Sequence, residues 1–141
     1  MRQLRLASGL LVALVLALAG LAHPGSAHAA GDTLTTADKV ALQTLMAQYI
    51  EQHTIDDAFL HVDPATGKLE KLYPVTQHPM IVRLNKVVVL CADLRTKAGK
   101  TVNADFYVTR DDGKFVIFQT EIDNRAPLQA LLMKGAASLL E

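Results

Sequence analysis

Asp93, Asp105 and Glu121 are the residues of this chain whose type and spacing most invite chemistry. Strands over about 87–96, 101–109 and 115–122 would lay these acids close together on one face of a sheet. The registers follow from the turns. Read as a three-residue loop, Lys97-Ala98-Gly99 pairs Leu94 with Val102, Ala92 with Ala104, Leu90 with Phe106 and Val88 with Val108. Read the same way, with Gly113 left-handed, Asp111-Asp112-Gly113 pairs Val108 with Val116, Phe106 with Phe118, Ala104 with Thr120 and Val102 with Ile122. One face is then apolar throughout. A two-residue loop at Asp112-Gly113 would set Phe106 against Gln119 and Ala104 against Glu121, mixing the faces, so burial disfavours it.

The opposite face then carries Cys91, Asp105 and Gln119 in one row and Asp93, Asn103 and Glu121 in the next. Carboxylates on neighbouring strands repel unless a cation, water or basic side chain intervenes, and Arg95, Arg83 and Arg125 are within sequence reach. Two such acids suit proton transfer, and acid, amide and acid oxygens suit a hard cation such as calcium. The outer side of an antiparallel sheet is polar for simpler reasons. With no calcium loop and no catalytic motif, neither a catalytic nor a metal-binding residue is assigned, and no cofactor is expected. The next rows on this side are Val89, Tyr107 and Ile117, then Val87, Thr109 and Phe115. A half-apolar face calls for a cover, whether the closing helix, a second subunit or a ligand. The candidate interaction surface is therefore Val89, Tyr107, Ile117, Phe115, Cys91, Asp93, Asn103, Asp105, Gln119 and Glu121.

The remaining reactive side chains offer less. Cys91 is the single cysteine and cannot form an internal disulfide; continuing the apolar run Val87–Leu90, it reads as a small buried hydrophobe rather than a nucleophile. His53, His61 and His78 match no zinc spacing, and His53 suits the C-terminal end of a helix. Ser138 is the only serine after position 29 and lacks a nucleophile-elbow motif.

The N-terminus predicts the compartment. Arg2 and Arg5, an apolar run from Leu6 to Ala22 and the exit Ala27-His28-Ala29 have the order of a cleavable secretory signal over 1–29, leaving one domain over 30–141 in a periplasm or outside the cell. The Ala/Leu-rich leader has a bacterial composition. The chain has 14 basic and 14 acidic side chains; the leader removes Arg2 and Arg5, so the remainder has a net charge of −2. That near-neutral balance, without a basic cluster, excludes a nucleic-acid tracker and gives no membrane anchor after cleavage.

The elements that must position these residues begin with an amphipathic helix over about 36–53, capped by Thr35 or Thr36 and carrying Leu42, Leu45, Met46, Tyr49 and Ile50. Strands follow at about 58–63, 69–73, 80–84, 87–96, 101–109 and 115–122. Between the second and third, Tyr73-Pro74, Gln77 and His78-Pro79 read as a linker or recognition loop. Pro127 opens a closing helix bearing Leu128, Leu131, Leu132 and Leu139. The fold class is α+β, an N-terminal helix packed on an antiparallel meander with a C-terminal helix. In architecture it resembles the cystatin-like and nuclear-transport-factor-like folds, which host inhibitors, carriers and enzymes alike. The expected function is a non-enzymatic module for a protein partner or small ligand. The alternative is a small metal-binding protein or enzyme using the acidic rows. A homodimer through the apolar face or closing helix is compatible with both.

Overall fold

The computed structural model describes residues 33–140; the segment 1–29, read above as a secretory signal, lies outside them. Helix α1 spans Thr36–Gln52. Thr35 Oγ1 accepts from the Asp38 amide (3.1 Å) and Asp38 Oδ2 accepts from the Thr35 amide (3.0 Å), a reciprocal cap that satisfies two otherwise orphaned donors. Those bonds from Thr35, joined by the Arg110 guanidinium at 2.6 Å, hold Asp38 below the usual carboxylate pKa. Leu42, Met46 and Ile50, four residues apart, form the buried stripe.

The rest is an antiparallel sheet. Its strands are β1 (Thr54–Ile55), β2 (Ala58–Val62), β3 (Leu69–Leu84), β4 (Val87–Thr96), β5 (Thr101–Asp111) and β6 (Lys114–Ile122), neighbours in chain order. Helix α2 (Ala126–Met133) and a short β7 (Ser138–Leu140) close the fold, β7 pairing with residues 81–83 of β3. The α1 stripe packs on Leu72, Ile81, Leu90, Ala92, Leu94, Ala104, Phe106 and Val108 to make the main core. This is the α+β helix-on-meander architecture read from the sequence.

The β4–β5 register is the expected one, from Val88 opposite Val108 to Leu94 opposite Val102. The β5–β6 register is not. Asp111 pairs with Lys114 around a two-residue turn in which both Asp112 (φ 44°) and Gly113 (φ 77°) are left-handed, the geometry that Asp-Gly favours in hairpins. Phe106 then pairs with Thr120 and Ala104 with Ile122. The conflict between turn chemistry and burial is resolved by a bulge: Tyr107 faces Gln119 and Val108 faces Ile117, leaving Phe118 as the extra residue. The turn sets the register of 114–117, and the bulge restores an apolar inner face beyond it.

Two further expectations change. The segment between 73 and 80 is not a loop: 69–73 and 80–84 are one strand, with irregularities between Pro74 and Thr76 and between Gln77 and Ile81. Pro74 and Pro79 lack the ladder donor, so a bulged strand with little edge pairing is the conformation that tolerates them. The closing helix also ends early. Gly135 is left-handed (φ 68°), terminating α2, and Leu139 lies on β7 with 55% exposure.

Candidate functional site

The centre of the outer face is a buried ion pair. Asp105 is 1% exposed, and Arg125, at the residue that opens α2, meets it with Nε 3.2 and 3.1 Å from the two carboxylate oxygens and Nη2 2.6 Å from Oδ1. The planar guanidinium matches the carboxylate fork, and the bonded carboxylate raises the Arg125 pKa despite burial. Because Arg125 lies between β6 and α2, the pair ties the closing helix to the middle of β5.

The other two acids are also engaged. Glu121 faces Asp105 across the β5–β6 ladder and accepts from Gln119 Nε2 (2.6 Å) and Asn124 Nδ2 (2.9 Å). Asp93 lies 3.1 Å from His78 Nε2, which the irregular middle of β3 delivers. The rows are therefore Cys91–Asp105–Glu121 and Asp93–Asn103, with Gln119 moved beside Tyr107 by the bulge. Burial, followed by the charge of Asp105 and a hydrogen bond to it, pushes the Cys91 thiol up to about 12. A thiol so raised is protonated at neutral pH and a poor nucleophile. Burial, then Asp105 and Glu121, raises the Tyr107 phenol as well.

The apolar outer rows are covered from within. Val82 and Val89 form a second core with Leu128 and Ala137, and Leu84, Tyr107, Leu131 and Leu132 pack around it. Val89 is fully buried beneath the closing elements, so no partner reaches it while α2 is docked. Ile117 and Phe115 are not on this face: the two-residue turn directs them to the main core, and Val116 and Phe118 are the exposed side chains of β6, at 43% and 53%. The expected Val89–Tyr107–Ile117 surface is thus replaced by an internal contact between α2 and the sheet.

The histidines do not converge. His53 caps α1, stacked on Tyr49 with ring centroids 4.0 Å apart, His61 lies on β2 and His78 is paired with Asp93. Among the described residues no three His, Cys, Asp or Glu side chains are placed to hold a metal ion. Ser138 is exposed on β7 opposite Arg83.

A feature that residue chemistry missed is a groove at the other side of the sheet. Where β3 separates irregularly from β4, a cavity of about 250 Å³ opens between the C-terminal half of α1 and the sheet. Buried Ile50, Ala92 and Leu94 line it beside exposed Pro74, Val75, Thr76 and Gln77 and the backbone run through Asp93. A shallower depression towards Ala47, Glu51 and Asp57 adjoins it. Its signal in the sequence was the pair of prolines in a strand-like segment. No protein-family model matches the chain, and no curated protein or solved structure shows significant similarity to it.

Proposed function

We propose that this chain is an exported binding module without catalytic chemistry, and that a small, largely apolar ligand enters the groove between α1 and the irregular middle of β3. The observation that carries this reading is the groove's lining. Three buried apolar side chains stand beside Thr76 and Gln77, and an apolar pocket with a few polar groups is the usual make-up of a small-molecule site. The state of the acids supports the non-enzymatic half: Asp105, Glu121 and Asp93 each have a partner within the chain. Export is inferred from the order of charged, apolar and small residues over 1–29.

The test is native mass spectrometry of the protein recovered from the exported fraction, beside the same sample denatured. The expected result is a denatured mass beginning near Ala30 and, in the native spectrum, added mass that a Thr76→Trp variant fails to retain. A bare native protein, or added mass equally retained by that variant, overturns the groove as the ligand site. A denatured mass that includes residues 1–29 overturns export by cleavage.

A further inference from the structure

A second cavity, of about 290 Å³, lies near the opposite end of α1, lined by Thr33, Leu34, Lys39, Arg83 and Leu140. Arg83 is on the inner face of β3, opposite Val88, and Lys39 is in the first turn of α1. The Arg83 Nε is buried and has no hydrogen-bond partner among the described residues. Neither Arg83 nor Lys39 forms an ion pair with any described acid, and Asp38, adjacent to Lys39 in sequence, is held by Thr35 and Arg110. Arg83 as a whole is half-buried, but a buried N–H without an acceptor is costly, and a lysine in the first turn runs against the helix dipole. An anion between them would relieve both.

We propose that this cavity binds a carboxylate carried on a short apolar body, a site independent of the groove. The guanidinium fork takes one carboxylate in two parallel bonds and the ammonium adds a single charge. Leu34 and Leu140 supply apolar wall for the remainder of the ligand. A phosphate group fits less well, because phosphate sites draw on several free amides and here the Asp38 amide is already taken by Thr35. The volume holds roughly ten water-sized groups, the size of a six-carbon acid. The carboxylate has two sources: a free acid, or the chain's own Asp32 and Glu141, which neighbour Thr33 and Leu140 in sequence.

The experiment is a titration of the purified, isotopically labelled protein with sodium hexanoate at low salt, followed by amide chemical shifts, with hexanol and inorganic phosphate as controls. It is run on the wild type, on Arg83→Gln, and on a chain with Asp32→Asn and Glu141→Gln. The expected result is saturable shifts at Thr33, Leu34, Lys39, Arg83 and Leu140, weakened at least tenfold by Arg83→Gln and absent with hexanol. Saturation only in the Asp32→Asn, Glu141→Gln chain supports the carboxylate site and names the chain itself as the source. No saturation in either chain, an equal response in Arg83→Gln, or phosphate binding as tightly as hexanoate overturns the proposal. Unchanged circular dichroism of Arg83→Gln separates loss of the site from loss of the fold.

Discussion

Replacing Arg125 with Met should unfasten α2 and unfold the domain at markedly lower denaturant. The carboxylate it abandons, Asp105, is 1% exposed and takes three hydrogen bonds of 2.6–3.2 Å from that one guanidinium. Removing one member of a buried pair leaves an uncompensated charge and costs about 3–5 kcal/mol. Total stability of about 5–15 kcal/mol makes that a large fraction. On a domain of this size the thermal midpoint should fall by roughly 15 °C. Asp105→Asn preserves shape but keeps one acceptor of the two and leaves the partly exposed Arg125 cation without its counter-charge, for about 1.5–3 kcal/mol. The double change Asp105→Leu with Arg125→Met removes the orphaned charge and should recover much of the loss, a coupling that a double-mutant cycle reads directly. The assay is urea unfolding followed by circular dichroism. Had the acidic row been a catalytic or metal site, Asp105→Asn would leave stability nearly intact. A change of less than about 1 kcal/mol in Arg125→Met would therefore refute the structural role argued for this pair.

Two other outcomes follow. Burial pushes the folded Cys91 thiol up to about 12, well above an ordinary thiol, so above pH 9 the unfolded chain gives up its proton first. Stability should then fall as pH rises from about 9 to 12, by at most about 1.4 kcal/mol per unit, a slope that Cys91→Ala should remove; native protein should also resist alkylation at neutral pH until urea exposes the thiol. At the β5–β6 turn, Gly113→Ala places a side chain at φ 77° and should cost about 1–2 kcal/mol in denaturant unfolding; unchanged stability would contradict a left-handed Gly113.

Much of the architecture was legible because local rules and burial agreed. The choice of Thr35 or Thr36 as cap announced the start of α1, the spacing of Leu42, Met46 and Ile50 its buried stripe, and Lys97-Ala98-Gly99 the β4–β5 register. The β5–β6 hairpin was misread because Asp112-Gly113 and the apolar alternation demand registers that one uninterrupted ladder cannot satisfy, and a bulge at Phe118 satisfies both. Nothing within 115–122 alone marks which residue will be the extra one.

The candidate site divides in the same way. That Cys91, Asp93 and Asp105 share a face was readable in advance, because strand alternation and one turn suffice for it. The apolar rows through Val89 and Tyr107 also showed that part of that face needed a cover, although Ile117 and Phe115, counted with them, turn to the main core. That the cover is α2, that Arg125 neutralises Asp105 and that His78 reaches Asp93 depended on three-dimensional packing. The first pairing joins residues 20 positions apart through the docking of α2 on the sheet, the second residues 15 apart through the irregular middle of β3, and periodicity carries no information about either. The groove and the Lys39–Arg83 cavity belong to the same class: each exists because an irregular strand or a helix end fails to close against its neighbour, and such a gap is a property of packing.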